Sequence, residues 1–233
     1  GAYGAVVFAG LMLHLLLTYG SIVRFGAKLP FKDFLGAIKP ALLVGFSTSS
    51  SSATLPVTME CCEDRLNVSQ SVTSFVLPLG ATVNMDGTAL YQGVAAIFIA
   101  QVYGMDLSMA DQATIVGTAT LASVGAAGVP GAGMITLAMV LTAIGVPAEG
   151  LALVLGVDRI LDMFRTATNI VGDSAVTTMM ARLEGDDLQI MTDTQDERNK
   201  RRGVESRADE EPSPVIAPAT TAESEEDDTP ALS

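Results

Sequence analysis

One segment of the sequence carries ionisable side chains and one amide at a regular spacing among apolar residues. These side chains are Asp158, Asp162, Arg165, Asn169 and Asp173. At ~100° per residue they fall within an arc of about 80° on a helix, along ~22 Å of its axis. A carboxylate can bind an ammonium group or a metal cation, and a guanidinium offers a planar pair of donors to a carboxylate. The spacing therefore predicts one helix face that binds a charged ligand.

Three other apolar segments are interrupted by polar or glycine-rich sequence. Serines and a threonine fill 47–52, an aspartate lies within 84–88, and glycines with one proline dominate 124–133. In a membrane, such interruptions expose backbone N–H and C=O groups that can bind anions and cations. The polar face could instead be a structural ladder in which Asp162 neutralises Arg165. Pairing alone would not explain three interruptions at a similar depth, so we favour a binding site.

The composition places these elements in a membrane. Hydrophobic residues make up 49% of the chain. Residues 1–183 contain 11 acids and 8 bases, whereas residues 184–233 contain 15 acids and 5 bases. The first part has too few charges for a water-facing surface, and the second is too polar to bury a core. We predict an all-α polytopic membrane protein over 1–183 and a disordered acidic cytoplasmic tail over 184–233.

Uncharged runs of about 20 residues mark the membrane segments. The predicted elements are a span over 2–23, a hairpin over 34–60, a broken helix over 66–105, a hairpin over 112–148 and a polar-striped helix over 150–182. Each hairpin arm is only about half a membrane long, because the polar or glycine-rich run falls in its middle. We therefore expect two re-entrant hairpins that enter from opposite faces. The basic loop over 24–39 is expected in the cytoplasm, with 106–111 outside.

The composition also excludes some classes of function. The strongly acidic segment over 184–233 repels nucleic acid, so no nucleic-acid partner is expected. Cys61 and Cys62 are adjacent and cannot cross-link distant parts of a fold, so they are expected to be reduced. With His14 as the only histidine, a zinc ligand set is lacking. The chain begins with Gly1 and enters an apolar run almost directly, so we expect an N-terminal portion of the natural protein to be missing.

Four motifs follow one another along the chain. They are Ser50-Ser51-Ser52-Ala53-Thr54-Leu55-Pro56-Val57-Thr58, Asn84-Met85-Asp86-Gly87-Thr88-Ala89-Leu90, Ala127-Gly128-Val129-Pro130-Gly131-Ala132-Gly133, and the polar face from Asp158 to Asp173. Together they resemble the transport core of the dicarboxylate/amino acid:cation symporter family, the glutamate transporters. The resemblance covers nearly all of 1–183 and implies the C-terminal half of such a protein. It also implies a homotrimer in the full-length form, because five earlier spans build most of the trimer scaffold in this family.

An acidic amino acid brings one ammonium group and two carboxylates, and each needs a partner when buried. Asp162 offers an anion to the ammonium, and Arg165 offers its two-donor fork to one carboxylate. The second carboxylate needs neutral donors, such as backbone N–H groups at the hairpin tips. The resemblance implies two sets of substrate ligands: Ser51 and Val129 through their backbones, and Thr88, Asp162, Arg165, Thr166 and Asn169 through their side chains.

Coupling cations need hard oxygen ligands, which carboxylates and the carbonyls of unwound segments supply. Asp86 and Asp173 are the best carboxylate candidates. The resemblance implies three sodium sites: Gly80 with Asn84, Asn169 and Asp173; Asp86 with Asn84; and Thr82 with the backbones of Ser123, Val124 and Ala126. The other ligands of the second site would lie in an earlier span that this chain lacks. Besides sodium, no cofactor is expected.

The sequence thus predicts a symporter in the plasma membrane, not an enzyme, that takes up glutamate or aspartate with cations, in the first place sodium. A C4-dicarboxylate carrier would not need Asp162, and a neutral amino acid carrier would not need Arg165. An intramembrane aspartyl protease using Asp86 and Asp162 would leave the glycine-rich tips without a purpose. The chain could also be a partial one that binds ligand weakly or folds poorly. Arg159 either braces the site or is a packing or loop-facing charge.

Overall fold

A computed structural model describes residues 2–191, and within that range the protein is helical. This part of the chain contains no β-strand, which confirms the all-α class. The α-helices are α1 (Ala2–His14), α2 (Phe31–Ala37), α3 (Lys39–Thr48), α4 (Ser51–Leu66), α5 (Gln70–Val83), α6 (Asp86–Val102), α7 (Met109–Ser123), α8 (Ala132–Ala143) and α9 (Ala152–Glu184). Most of the predicted acidic tail, from residue 192 onward, lies outside the described residues.

The first helix continues beyond α1. It passes through two π-helical segments, Leu15–Tyr19 and Ile22–Ala27. By length and composition, Ala2–Ala27 is the one helix within residues 2–191 that could cross a membrane. The helix extends past Val23, where the predicted span ended, and it accommodates Arg24 because that side chain is exposed on the surface of the helix. It ends at Lys28, which has a left-handed φ of 60°.

Helices α3 and α4 pack against each other and are joined by a two-residue turn. In this turn, Ser49 has a left-handed φ of 55°. The Ser50 side chain accepts a hydrogen bond of 3.1 Å from the Ala53 N–H. Serine is favoured at this N-cap position because its oxygen pairs with an N–H that has no partner in the helix. The polar run therefore ends one helix and begins the next, and it forms the tip of a helical hairpin.

Two further interruptions lie between helices. Asn84 and Met85 separate α5 from α6, with ψ angles of 63° and 42° that leave the helical range. Between α7 and α8, Gly125 and Gly131 have φ angles of 85° and 79°. Glycine adopts this left-handed backbone without the strain that a Cβ would cause. These two sequence interruptions are therefore non-helical backbone, and the second forms the tip of another helical hairpin.

A capping box begins α7 at the end of the hairpin remote from its tip. The Ser108 hydroxyl accepts a hydrogen bond from the Asp111 N–H at 3.2 Å. In return, the Asp111 carboxylate accepts from the Ser108 N–H at 2.9 Å and from its hydroxyl at 2.7 Å. The Ser108 donors hold the pKa of the Asp111 carboxyl below its usual value, because they stabilise the charged form. This box satisfies N–H groups that would otherwise lack a partner at the start of the helix.

Helix α9, about 50 Å long, runs past two apolar cores. Its first half contributes Val154 and Leu161 to a core shared with α1, α6, α7 and α8. Its second half contributes Ile170 to a core shared with α2, α3, α4 and α5. Cys61 and Cys62 are buried in this second core and form no disulfide, as the sequence analysis predicted.

The segment after α9 is bound to the loop between α4 and α5. The Gln189 N–H donates to the Leu66 carbonyl at 3.3 Å. The Asp186 carboxylate accepts a hydrogen bond of 2.8 Å from the Ser69 N–H. Backbone hydrogen bonds and an apolar contact of Leu188 therefore hold this segment against the end of α4 and the loop that follows it.

Candidate functional site

The tips of the two helical hairpins contact each other. The Gly128 carbonyl accepts a hydrogen bond from the Ser50 hydroxyl at 2.6 Å and another from the Ser52 N–H at 3.1 Å. A Cβ on Gly128 would lie 2.5 Å from the Ser52 hydroxyl oxygen and 3.1 Å from its backbone nitrogen. Only glycine therefore permits this approach. Two interruptions that are far apart in the sequence become neighbours in the fold.

A cavity lies where these tips meet α9 and the start of α6. Its lining consists of Ser49, Ser51, Met85, Thr88, Ala126, Ala127, Gly128, Val129, Ala132, Gly133, Asp162, Arg165, Thr166 and Asn169. All seven residues predicted to bind the substrate are in this set, although substrate binding by them stays a prediction. The cavity volume is about 20 Å³, which is room for roughly one water molecule. An amino acid can therefore enter only after the lining moves.

Asp162 and Arg165 pair with each other in the cavity wall. Each is 3% exposed, and Arg165 Nη2 donates to Asp162 Oδ1. The second carboxylate oxygen accepts from the Gly131 N–H, in the second hairpin tip, at 3.1 Å. Arg165 Nη1 is buried and has no hydrogen-bond partner within residues 2–191. A buried donor without an acceptor costs free energy, so Nη1 is available to a ligand carboxylate.

Neutral groups form another part of the lining. Asn169 Nδ2 donates to the Thr88 hydroxyl at 3.2 Å, and its Oδ1 accepts from the Gly87 N–H at 2.9 Å. A Cβ on Gly87 would lie 2.7 Å from that same Oδ1, so a larger residue here would displace the Asn169 side chain from this contact. These contacts connect α9 to the first turn of α6. Thr166 is also buried beside Arg165.

Asp173 lies one turn beyond Asn169 on α9 and is buried. Asn84 Nδ2 donates to Asp173 Oδ1 at 3.0 Å. Gly80 approaches the same oxygen so closely that a Cβ would lie 2.8 Å from it. Gly80, Asn84, Asn169 and Asp173, the first predicted sodium set, are therefore brought together. Cation binding by this set remains a prediction.

The third predicted sodium set lies at the second hairpin tip. The Gly125 N–H donates to the Thr82 carbonyl at 2.8 Å, which holds the end of α5 against the loop after α7. The other members of this set belong to that loop or to the helix end before it: Ser123, Val124 and Ala126. The fold thus brings Thr82 next to the loop that carries the other three residues, and cation binding by this set remains a prediction.

Asp86 has two partners that the sequence analysis did not identify. His14 Nε2 lies 2.7 Å from Asp86 Oδ2, and the Tyr19 hydroxyl donates to Oδ1. His14 and Tyr19 are five residues apart, which is the hydrogen-bond spacing of a π-helix, so the π-helical segment brings both to one face. On an α-helix the two side chains would point about 140° apart, so helical periodicity could not have paired them. Asn84, the other member of the second predicted sodium set, is bonded to Asp173 instead.

Two neighbouring charged residues at the start of the polar face, Asp158 and Arg159, differ in their exposure. Asp158 is buried and accepts a hydrogen bond of 2.7 Å from the Tyr91 hydroxyl. Arg159 is exposed, and the ion pairs found within residues 2–191 do not include it. Arg159 does not line the cavity, so it does not brace the site in this conformation. Of the two interpretations, a packing or loop-facing charge fits the structure better than a brace of the site.

Comparisons with known proteins identify the family of this chain. A model of the sodium:dicarboxylate symporter family matches residues 1–183. The chain is 50% identical over 195 residues to excitatory amino acid transporter 3 of Mus musculus, covering 82% of this chain and 36% of the relative. It is 50% identical over 188 residues to a putative sodium-dependent excitatory amino acid transporter, glt-4, of Caenorhabditis elegans, covering 80% and 38%. It is 48% identical over 194 residues to excitatory amino acid transporter 4 of Rattus norvegicus, covering 82% and 34%.

The chain spans a little over a third of the length of these curated relatives. Within residues 2–191, the family match nevertheless covers every helix, except for the last residue of α9, and every residue of the cavity lining. The chain therefore belongs to the sodium:dicarboxylate symporter family.

Proposed function

We propose that this chain forms the substrate- and cation-binding part of a secondary symporter that takes up glutamate or aspartate together with sodium. The cavity carries the proposal, because a buried carboxylate, a buried guanidinium with an unpaired Nη1 and neutral donors all face one space. An acidic amino acid offers a charge to each of these groups. The relatives support the same function, since they are named as excitatory amino acid transporters, the nematode one as sodium-dependent.

Substrate binding exchanges one set of contacts for another. In the structure, Asp162 is occupied by Arg165 and by the Gly131 N–H. An incoming ammonium group takes the place of these donors on Asp162, and the ligand side-chain carboxylate takes the two-donor fork of Arg165. Because Gly131 belongs to the second hairpin tip, releasing its N–H opens the tip and gives the small cavity the room that an amino acid needs.

The α-carboxylate of the ligand then needs neutral donors. Thr88 and Asn169 supply side chains on one side of the cavity, and the tips supply backbone N–H groups of Ser51 and Val129. Neutral donors suit this carboxylate because the ammonium already balances its charge within the ligand. The resulting site holds each charged group of an acidic amino acid against a partner.

Sodium binding is proposed at the carboxylates next to the cavity. Asp173 and Asp86 lie beside the unwound backbone at Asn84 and Met85, which offers carbonyl oxygens. Asn169 contacts the substrate cavity and stands one turn from Asp173. A cation that orders this region therefore also orders a substrate ligand, and the two binding events are linked reciprocally.

The proposal places the whole protein in the plasma membrane as a homotrimer. The two helical hairpins enter the membrane from opposite faces, with the basic end around 24–39 in the cytoplasm. Exposed apolar side chains on the first helix and on both arms of the second hairpin support contact with lipid or with other spans: Phe25, Leu121 and Ile135 are each more than 70% exposed.

Replacing Asp173 with asparagine should weaken aspartate binding through the loss of sodium affinity. Removing one charged ligand of the cation costs roughly 1.5 to 3 kcal/mol, so the sodium dependence of aspartate binding should move to about 10- to 150-fold higher concentration. The measurement is titration of L-aspartate into the purified complete gene product at a series of sodium concentrations. Wild-type affinity should rise steeply with sodium, and high sodium should restore binding to the variant.

Asp33→Asn serves as the matched control, because Asp33 is an exposed aspartate on α2 and has no role at the site. Its sodium dependence should equal that of the wild type. Wild-type binding that does not respond to sodium would refute the proposed coupling. Failure of high sodium to restore binding to Asp173→Asn would refute the role of Asp173.

A further inference from the structure

Arg165 is supported by a side chain that is not among the predicted substrate ligands. The guanidinium carbon lies 4.6 Å from the centroid of the Tyr91 ring. A cation over an aromatic face at this distance is attracted by the ring, and the attraction is largest where water is excluded. Both residues are buried, Tyr91 completely and Arg165 to all but 3%. Tyr91 therefore holds the guanidinium through its face and takes up none of its N–H donors, so Nη1 stays available to a ligand.

Backbone packing further restricts the same guanidinium. A Cβ placed on Gly133 would collide with it, lying 2.7 Å from Nη2 and closer still to other atoms of the group. The start of α8 thus touches the guanidinium directly. Arginine has several rotatable bonds and loses much conformational freedom when it is fixed in one place. Contacts from Tyr91 and Gly133 restrict that freedom before a ligand arrives, which favours binding.

Asp158 fixes the orientation of Tyr91. The Tyr91 hydroxyl donates to Asp158 Oδ1 at 2.7 Å and also lies 3.1 Å from Met134 Sδ. Asp158 is on the same face of α9 as Arg165, seven residues earlier and about 10 Å away along the axis. A long arginine side chain could turn toward this carboxylate if the ring were absent. The hydroxyl of Tyr91 satisfies Asp158, and its ring fills the space between the two.

We propose that Tyr91, held by Asp158, is a positioning residue that keeps Arg165 directed into the cavity and thereby sets the preference for acidic over neutral amino acids. The inference rests on the proposed function, since it assigns a determinant of specificity to that site. Tyr91 acts on Arg165 and not on the ammonium partner Asp162. A neutral amino acid does not use the guanidinium. Loss of the positioning role should therefore weaken the binding of acidic amino acids alone, whereas a general effect on folding should weaken the binding of both classes.

The test compares Tyr91→Leu and Tyr91→Phe in the purified complete gene product, with L-aspartate and L-serine as probes in saturating sodium. Tyr91→Leu removes the ring and should weaken aspartate binding about 10- to 30-fold, the factor expected for loss of a desolvated cation–π contact. Serine binding should change less than about threefold. Tyr91→Phe keeps the ring and loses one hydrogen bond, so the affinity for aspartate should weaken only about fivefold.

A third variant changes the residue that holds Tyr91. Asp158→Asn keeps an acceptor for the Tyr91 hydroxyl, so it should retain most of the wild-type preference for aspartate over serine.

Two controls distinguish positioning from a structural effect. Phe34→Leu removes a completely buried aromatic ring from the other apolar core, one that stacks on Phe31 at 6.2 Å, and it should leave the ratio of aspartate to serine affinity unchanged. In an Arg165→Cys background, adding Tyr91→Leu should change aspartate binding no further, because the two residues act through one contact. Both results would support the inference.

Equal losses of aspartate and serine binding in Tyr91→Leu and Tyr91→Phe would overturn the inference and leave the proposed function intact. An additive effect of Tyr91→Leu in the Arg165→Cys background would also overturn it. If the wild-type protein binds no aspartate in sodium, the proposed function itself fails, and the inference fails with it.

Discussion

Replacing Arg165 with cysteine should change the preferred substrate from an acidic to a neutral amino acid. Without the guanidinium, the side-chain carboxylate of aspartate or glutamate would be buried without its partner, at a cost of roughly 3 to 5 kcal/mol. This cost corresponds to a loss of about 100-fold or more in affinity for acidic substrates. Serine or alanine escapes the penalty because it carries no second carboxylate.

The structure adds a reason why neutral substrates should also bind more tightly to this variant. In the wild-type protein, Arg165 Nη2 occupies an oxygen of Asp162, and a ligand ammonium has to displace it. Cysteine removes this competitor, so Asp162 becomes more available to any amino acid. Affinity for serine should therefore stay the same or rise while affinity for aspartate falls.

Competition binding with L-aspartate and L-serine in proteoliposomes measures this change. Arg159→Cys is the matched control, because it removes an exposed arginine from the same helix, six residues earlier. The control should keep the wild-type preference for aspartate. A persistent preference for aspartate in Arg165→Cys would show that Arg165 does not select the substrate, and loss of that preference in Arg159→Cys would transfer the role to Arg159.

Asp162→Asn should impair binding of every amino acid, whatever its side chain. All of them share the ammonium group, and asparagine keeps the shape of the side chain while removing its charge. Loss of a charge-assisted hydrogen bond costs roughly 1.5 to 3 kcal/mol, or about 10- to 150-fold in affinity. The ratio of aspartate to serine affinity should be retained, or should rise because Arg165 loses its internal partner.

Succinate is the informative control ligand for this variant, because it has two carboxylates and no ammonium. Its binding should not weaken in Asp162→Asn, since it makes no use of the charge on Asp162. The measurement is competition of L-aspartate, L-serine and succinate on the same preparation. If the variant loses succinate and aspartate binding equally, or keeps full affinity for serine, Asp162 is not the ammonium partner.

Several features of the site follow directly from the sequence. The polar face of α9 depends only on helical periodicity, and Asp158, Asp162, Arg165, Asn169 and Asp173 are all buried in the structure. The interruptions were predictable because serine caps helices and glycine permits left-handed backbone, as at Ser50 and Gly131. Local chemistry of this kind is encoded within a few residues, and a single sequence is enough to identify it.

Contacts between distant segments were not predictable from the sequence. The pairing of Ser50 with Gly128 joins residues 78 positions apart, and no local pattern indicates it. His14 and Tyr19 converge on Asp86 only because the first helix becomes π-helical, a change that α-helical periodicity does not show. The contact of Tyr91 with Arg165 was missed for a related reason, since an apolar helix gives no sign of which aromatic ring faces a charge.

The central claim is that sodium and an acidic amino acid cross the membrane together through this site. The most direct test is uptake of radiolabelled L-aspartate into proteoliposomes that contain the complete gene product, with sodium or choline outside. We predict that aspartate accumulates above its external concentration when sodium is higher outside, that choline abolishes the accumulation, and that Arg165→Cys removes it for aspartate. Equal aspartate uptake in sodium and in choline, or uptake that never exceeds equilibration, would contradict the account.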